Sequence, residues 1–388
     1  MTDIAFSQTD LSDSRAAGDF LGRELISKLG GEAPHAVILF SSSQYDPEAL
    51  LAALNSACHP SNLIGCTSAG EFATGSLGTG SATALALRSN EMRFSVAMGG
   101  NIQADPKQAI EDLASQLVGI NDYSYPFRSL LVLTDALAGQ TEELMGLLNQ
   151  ASGGVYQIVG GGAGDDGKFE STVIFQGKRS HKQAVVVLEI LSKKPVGLGI
   201  SHGWETASEA MRVTRAEGMK LISINAAPAL EAFRAHAAAT GQTLDPAGPL
   251  PFFLHNILGI DTGYGLKLRV PLKVEADGSV LCAAEIPEGS TIHIMSSSVD
   301  STTAAAEEAA RVAIRGLAGA KPKAVLFFDC VATRLRMGRD FGGELQAMAE
   351  VMGHVPYVGC NTYGQIAKID GQFNGFHNCT AVVCAFPE

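Results

Sequence analysis

The sequence lacks any apolar run long enough to cross a membrane. In its 388 residues no hydrophobic stretch reaches the roughly 18 to 20 residues that a transmembrane helix needs. Residues 1–10 also lack the basic and then apolar pattern of a secretory signal. Both absences predict a cytoplasmic protein that does not bind membranes. The content of 46% hydrophobic and 18% charged residues is typical of a globular protein, and the length predicts about two domains.

Cysteine is scarce and scattered. The seven cysteines are odd in number and never form a CxxC pair, which argues against a disulfide framework and against a zinc site. The nine histidines show no HxH, HxxxH or HExxH spacing, so the sequence contains no local metal-binding motif either.

Positive charge is sparse as well. Lysine and arginine number 28 against 40 acidic residues, which gives a formal net charge of −12, and no run of basic residues is present. Binding to nucleic acid requires a clustered basic face that neutralises phosphates. The composition therefore argues against nucleic acid as a partner.

What the sequence does contain is a threefold internal repeat. Each copy has an apolar strand, an amphipathic helix, a glycine-containing turn and a second apolar strand. The distances from Ala36 to Gly65, from Leu130 to Gly160 and from Ala324 to Gly359 are 29, 30 and 35 residues. Strands without alternation are buried on both faces, and the spacing matches one strand–helix–strand unit. The predicted fold class is α/β, with these units repeated in layered sheets.

The elements of the three copies can be assigned by residue. Their first strands are 36–40, 130–133 and 324–328; their helices are near 47–57, 141–150 and 343–352; their turns are 64–71, 159–166 and 358–365; and their closing strands are 82–87, 184–190 and 380–385.

Residues 195–294 differ from the repeats. They consist of short apolar runs separated by turns, and the Asp277-Gly278 pair between two such runs predicts a β-hairpin. One helix is predicted at 227–238 and another at 301–317. This central portion is therefore expected to be α+β and more antiparallel than the repeats.

The turns of the repeats are the first candidate sites. Cys66 and Cys360 both follow a strand-end glycine, where ligands commonly bind in open α/β sheets. Each cysteine is either a nucleophile or a small buried hydrophobe, and neither has a base at a recognised motif spacing. The glycine-rich segment 160–166 is either an anion-binding nest or a turn that needs positive φ.

Three further residues are candidates for binding. His202 and His255 stand beside bulky apolar residues, the environment that a haem requires, although structural histidines are also found in such surroundings. Arg334, which follows the strand 324–328, suits a ligand carboxylate such as that of an amino acid or a haem propionate. Its alternative is a solvated position at the start of a helix.

Several stretches resemble the FIST sensory domains of intracellular signal transduction. They are IGCTSAGE (64–71), VGGGAGDDG (159–167), VTRAEGMKLISINAAPA (213–229), FDCVATR (328–334), VGCNTYGQI (358–366) and FHNCTAVV (376–383). The resemblance implies an N-terminal helix at 1–30, a FIST N-terminal module at 31–225 and a FIST C-terminal module at 226–388. Gln365 stands where the family has glutamate.

The resemblance implies a non-catalytic, ligand-binding sensor that regulates a separate partner, such as a histidine kinase or a diguanylate cyclase or phosphodiesterase. Stand-alone members include a haem-binding group that resembles a nitric oxide sensor, so haem is the expected cofactor, with His202 or His255 as axial ligand. The alternatives are a sensor of a free small molecule such as an amino acid, a cysteine-dependent hydrolase or transferase, and a structural adaptor. A homodimer is left open. The predicted ligand-binding residues are Cys66, Thr67, Asp165, Arg334, Cys360, Asn361 and Tyr363.

Overall fold

The computed structural model describes residues 2–369 and 374–388. It confirms the mixed α/β fold class, with four sheets, one of them antiparallel. Within the described residues, none of the helices combines the length and the apolar character needed to cross a bilayer.

The first repeat unit occupies residues 2–89. Its helix α2 follows the predicted pattern closely, with Asp46 as N-cap and Pro47 in the first turn. The prediction of a helix at 1–30 omitted a strand that precedes it. The elements are β1 (Thr2–Thr9), α1 (Ser14–Lys28), β2 (Ala36–Ser41), α2 (Pro47–Cys58), β3 (Leu63–Thr67), β4 (Glu71–Ala73), β5 (Ser76–Leu77) and β6 (Ala82–Ser89).

The second unit repeats this order over residues 92–192. Its elements are β7 (Met92–Gly100), α3 (Pro106–Ser115), β8 (Phe127–Thr134), α4 (Thr141–Ala151), β9 (Gln157–Gly162), β10 (Ile174–Gln176), β11 (Arg179–His181) and β12 (Ala184–Ser192). The turn between β9 and β10 is longer than its counterpart between β3 and β4, and this extra length forms the loop described below.

The third unit is interrupted after its first strand, β13 (Gly197–Ser201), by an antiparallel insertion. The insertion confirms the antiparallel central portion, including the hairpin at Asp277-Gly278. Its elements are β14 (Glu205–Thr206), β15 (Met211–Glu217), β16 (Lys220–Ile224), β17 (Ala227–Pro228), α5 (Ala229–Thr240), α6 (Leu250–Phe253), β18 (Ile257–Asp261), β19 (Leu266–Arg269), β20 (Pro271–Val274), β21 (Val280–Cys282) and β22 (Thr291–Ser296).

The third unit then resumes and runs to the end of the described residues. Ser298 caps its long helix and forms a reciprocal capping box with Ser301. The elements are α7 (Val299–Gly316), β23 (Pro322–Cys330), α8 (Val331–Met337), α9 (Phe341–Val351), β24 (Tyr357–Thr362), β25 (Gln365–Lys368), β26 (Asn374–His377) and β27 (Ala381–Pro387).

Each unit forms four neighbouring strands of one sheet, and its β-hairpin pairs with the sheet of another unit. The sheets run β1-β6-β2-β3, β7-β12-β8-β9 and β13-β27-β23-β24, and the last pair of each is parallel. The hairpin β4–β5 pairs with β24, β10–β11 pairs with β3, and β25–β26 pairs with β9. The hairpin of the first unit joins the sheet of the third, that of the second joins the first, and that of the third joins the second. This cyclic exchange gives the molecule an approximate threefold arrangement, which extends across the predicted module boundary at residue 225.

The strands are apolar on both faces because they separate two layers of core. Ile38 and Phe40 point into a central core shared by the three sheets, while Val37 and Leu39 point outward beneath α1 and α2. The helix pairs α3–α4 and α7–α9 cover the outer faces of the other two sheets in the same way. This layering places the three glycine turns together at one end of the central core.

Candidate functional site

The turns of the three repeat units meet and bond to one another in a ring. The Asn361 N–H donates to the Gly70 carbonyl at 2.8 Å, the Tyr363 N–H to the Gly162 carbonyl at 3.0 Å, and the Gly164 N–H to the Thr67 carbonyl at 2.9 Å. Each turn thus contacts the other two. The sequence placed the turns at equivalent sheet ends but did not predict that they meet, which follows from the exchange of hairpins between the sheets.

Equivalent side chains anchor the first and third turns. Glu71 accepts hydrogen bonds from the Ser68 hydroxyl and from the Ser81 backbone N–H. Gln365, at the equivalent position, donates to the Thr362 hydroxyl and accepts from the Thr380 N–H. Glutamine therefore bonds equivalent partners, with the direction of the hydroxyl bond reversed.

Glu71 is the anchor that carries a titratable group. Its side chain is buried, and burial raises its pKa from 4.5 to about 7, against the opposing effect of the hydrogen bonds from Ser68 and Ser81. This carboxyl group changes charge near neutral pH.

A cleft opens beside the first of these turns, at the carboxyl ends of the parallel strands β2 and β3. We call it the Ser43 cleft. It has a volume of about 450 Å3 and is lined by Ser43, Tyr45, Pro47, Thr67, Asp165, Lys168, Glu170, Ser171, Val173, Ser180, His181 and Lys182. A neighbouring cavity of about 410 Å3 shares Lys168 with it. Volumes of this size suit small ligands.

Three other cavities fit a ligand site less well. One between α4 and β25 has a volume of about 140 Å3, which is small for a metabolite. Two of about 500 Å3 lie against the outer helices α1 and α2 and beside the turn at Asp277. Neither of these two is lined by the carboxyl end of a parallel strand, the place where α/β proteins commonly bind ligands.

The outer wall of the Ser43 cleft is the loop 165–171, which is held by Asp165. The Asp165 carboxylate accepts the backbone N–H groups of Phe169, Glu170 and Ser171 at 2.8, 2.7 and 2.8 Å, and also the hydroxyl of Tyr363. Burial opposes ionisation, but these hydrogen bonds lower the pKa of Asp165 below its ordinary value. Asp165 is therefore an anchoring carboxylate whose oxygens are already occupied.

The same loop stores backbone strain. Asp166 and Phe169 both have a φ of +58°, in the left-handed region that side chains other than glycine seldom adopt. The Phe169 ring stacks on Tyr363 with a centroid distance of 4.3 Å, although 42% of Phe169 remains exposed. Tyr363 thus holds a strained loop of the second unit from its place in the third.

Asp166 ties the loop to the end of β2. Its carboxylate accepts hydrogen bonds from the Ser42 and Ser43 hydroxyls and lies 3.6 Å from the Lys168 ammonium. Like Asp165, it has little capacity left for a ligand.

Arg334 occupies the junction between the first and third turns. Its guanidinium donates to the Asn361 side-chain oxygen and to the Gly78 carbonyl, each at 2.8 Å. It lies so close to Gly70, which has a φ of +143°, that a Cβ there would approach Arg334 Nη1 to 1.9 Å. The structure therefore gives Arg334 protein partners where the sequence suggested a ligand carboxylate.

Cys66 and Cys360 lie apart from the cleft. Both side chains are fully buried in the central core and contact each other. Burial and the neighbouring Cys66 raise the pKa of the Cys360 thiol well above its ordinary value. A protonated, enclosed thiol is poorly suited to be a nucleophile.

The two candidate histidines also differ in their surroundings. His202 follows β13; its Nδ1 accepts the Trp204 N–H at 3.3 Å, the ring also bonds the Leu266 backbone, and burial lowers its pKa. His255 is exposed on the turn after α6. Neither histidine lines any of the cavities described above.

Of the residues that line the cleft, the sequence predicted Thr67 and Asp165 as ligand-binding, but not the others. The run Ser41-Ser42-Ser43 at the end of β2 was the one available signal, since hydroxyls at a strand end are frequent ligand contacts. The loop 165–171 contains Lys168 and Glu170, and Lys182 directly follows the hairpin β10–β11. Their placement beside the first unit depends on the exchange of hairpins between sheets, which no local sequence pattern encodes.

Comparison with known protein families agrees with this architecture. The FIST N domain matches residues 35–227 and the FIST C domain matches residues 229–368. The chain is a FIST-domain protein. FIST domains are signalling sensor domains, and the Ser43 cleft lies within the FIST N domain, whereas Tyr363 and Arg334 belong to FIST C.

Other comparisons add little to the FIST assignment. No curated protein matches the chain. Among solved structures, a cyanuric acid hydrolase from A. caulinodans is 10% identical with a TM-score of 0.32, over 99% of both chains. T. maritima PurL complexed with AMPPCP is 12% identical with a TM-score of 0.24, over 99% of this chain and 72% of PurL. Such low similarity carries no argument about function.

Proposed function

We propose that this FIST protein senses a small charged molecule in the Ser43 cleft and passes the signal to a separate partner, such as a histidine kinase or a diguanylate cyclase or phosphodiesterase. The observation that carries the proposal is the strained loop 165–171, which forms one wall of the cleft in FIST N and is held by Tyr363 in FIST C. Strain of this kind is concentrated at functional sites.

The charges of the cleft favour a ligand with both an anionic and a cationic group. Asp165 is saturated, but the Lys182 ammonium and the Glu170 carboxylate have no ion pair or side-chain hydrogen bond within residues 2–369 and 374–388. Ser171 and His181 also line the cleft. An amino acid presents the complementary carboxylate and ammonium groups.

Signal transfer would work through the contact with Tyr363. A ligand that bonds Ser171 or Lys168 changes the free energy of the loop, and the loop is bonded to Tyr363. Ligand binding therefore favours one arrangement of the FIST C turn over another, which is the requirement for coupling between two domains.

Haem with nitric oxide is a second sensor proposal, and it rests on the family resemblance alone. The residues as placed do not fit a haem ligand well, because the His202 ring accepts the Trp204 N–H at Nδ1 and also bonds the Leu266 backbone, and His255 is exposed. A Soret absorption band after expression with haem, lost in either His202→Ala or His255→Ala, would overturn the preference for a free ligand.

Isothermal titration calorimetry with the proteinogenic L-amino acids tests the leading proposal. We expect at least one to bind, and both Lys182→Gln and Glu170→Gln to weaken binding roughly tenfold, the effect of one lost charge-assisted hydrogen bond. Lys178→Gln is the matched control, since Lys178 is exposed on the adjacent β10–β11 turn and does not line the cleft. No binding, or equal binding in all three variants, would contradict the proposal.

A further inference from the structure

The first and third units correspond residue by residue around their turns. The segments 47–71 and 341–365 have the same length, and each runs through a helix and a parallel strand to the anchored turn. Thr67 therefore corresponds to Asn361, and Pro47 corresponds to Phe341. In both units the helix packs on the outer face of its sheet, so the Ser43 cleft has a counterpart at the same place in the third unit.

The hairpins that border these two clefts correspond as well. The strand β10 pairs with β3 in the register in which β4 pairs with β24, so Ile174 corresponds to Glu71. Within the hairpins, His181 lies opposite Ile174, and the Gly78 N–H donates to the Glu71 carbonyl at 2.8 Å. His181 at the Ser43 cleft therefore occupies the position that Gly78 occupies in the third-unit cleft.

The turns that close the two clefts differ in length. Gly164 and Ala69 make the same hydrogen bond, each from its N–H to a carbonyl of the neighbouring unit at 2.9 Å. Between this bond and the hairpin that follows, the first unit has Gly70 alone, whereas the second unit has the segment 165–173. Val173 leads into β10 as Gly70 leads into β4, and the longer segment forms the wall of the Ser43 cleft.

The third-unit cleft is filled by the guanidinium of Arg334. This group donates to the Asn361 side-chain oxygen and to the Gly78 carbonyl, each at 2.8 Å, and it lies against Gly70. Its carbon also lies over the Phe341 ring, 5.7 Å from the ring centroid. In-plane acceptors and an aromatic face are the two features by which proteins recognise a guanidinium.

All four positions that contact this guanidinium have counterparts in the lining of the Ser43 cleft. Asn361 corresponds to Thr67, Gly70 to Val173, Gly78 to His181, and Phe341 to Pro47. The first unit supplies no arginine to this place, because residues 42–46 contain none, whereas the third unit has helix α8 there. The volume that Arg334 fills in the third unit is therefore part of the cavity of about 450 Å3 in the first.

We propose that the ligand of the Ser43 cleft carries a guanidinium group, as L-arginine does, and that this group takes the place that Arg334 fills in the third unit. The inference rests on the proposed function, since it takes a free amino acid as the occupant of the cleft. Glu170, which has no ion pair among the described residues 2–369 and 374–388, brings negative charge to the guanidinium. Lys182 suits the α-carboxylate, and Tyr45 brings an aromatic residue beside Pro47.

Calorimetric titration of the full chain with L-arginine, L-citrulline and L-lysine tests the ligand class. Citrulline is the matched control ligand, because it has the length and shape of arginine but an uncharged ureido group. Lysine keeps the charge but lacks the planar fork of donors. We expect arginine to bind roughly tenfold more tightly than either, the effect of one charge-assisted hydrogen bond.

The variant Glu170→Gln links this preference to the cleft. It should reduce the ratio between the dissociation constants of citrulline and arginine, because it removes the negative charge beside the guanidinium. Glu143→Gln is the control variant, since Glu143 is exposed in the first turn of α4 and does not line the cleft, and it should leave the ratio unchanged.

The outcomes separate this inference from the proposed function. If another amino acid binds while arginine does not, or if arginine binds no more tightly than citrulline, the guanidinium is overturned and the proposed function stands. If no amino acid binds but methylguanidinium does, and Glu170→Gln weakens it, the guanidinium site stands and the proposed function fails. Tighter binding of N-acetyl-L-arginine amide than of L-arginine would assign the guanidinium to an arginine side chain of a partner protein and overturn the free ligand.

Discussion

At the scale of single residues, Glu71 and Gln365 form a natural pair of variants within one chain. They occupy equivalent positions, and each bonds the hydroxyl three residues before it and a later backbone N–H, yet only Glu71 can ionise. Since burial raises the pKa of Glu71 to about 7, the folded state holds its proton more tightly than the unfolded state does. Stability from this group is present at low pH and is lost as pH rises through 7.

Glu71→Gln is therefore expected to stabilise the protein in a pH-dependent way. The free energy of unfolding should increase by about 2 kcal/mol at pH 8, where wild-type Glu71 must ionise in a buried position, and change little near pH 5. Urea unfolding at the two pH values measures this. Gln365→Glu is the counterpart and should destabilise the protein at pH 8. An equal effect of Glu71→Gln at both pH values would show that ionisation is not the cause.

At the scale of elements, the loop 165–171 has a defined conformation because one carboxylate organises it. The three backbone N–H groups that bond Asp165 belong to consecutive residues, and Tyr363 provides the fourth contact. The strain at Asp166 and Phe169 persists only while these contacts compensate for it.

Asp165→Asn should loosen this loop without unfolding the molecule. The amide NH2 would face N–H donors, costing about 1–2 kcal/mol of local stability and making tryptic cleavage after Lys168 roughly tenfold faster. Asp277→Asn is a suitable control, because Asp277 also accepts a backbone N–H, from Ser279, but lies in the hairpin of the insertion. Unchanged cleavage after Lys168 would argue against the anchoring role.

At the scale of the whole molecule, the sequence predicted the units but not their assembly. Strands such as 36–40 and 324–328 and the turns at Gly65 and Gly359 were evident, because apolar strands and glycine turns leave local patterns. The pairing of Glu71 with Cys360, or of Ile174 with Cys66, was not, because a strand's composition does not specify its partner. The lining of the Ser43 cleft depends on that exchange and was missed for the same reason.

The exchange also predicts how the chain responds to division. Fragments 31–225 and 226–388 each lose sheet partners, since β13 pairs with β27, β4 with β24 and β25 with β9. We expect each fragment alone to be poorly folded, with the two recovering a complex on co-expression, as judged by solubility and thermal unfolding. A cooperative unfolding transition in either isolated fragment would contradict the interlocked architecture.

The most direct test of the central claim is hydrogen–deuterium exchange with and without an amino acid that binds. If the ligand occupies the Ser43 cleft and acts through the loop, exchange of the amides of Phe169, Glu170 and Ser171 and of the turn at Tyr363 will change on binding. That change should be absent in Lys182→Gln at the same ligand concentration. A ligand that binds while exchange at 165–171 and at Tyr363 stays the same would contradict the account.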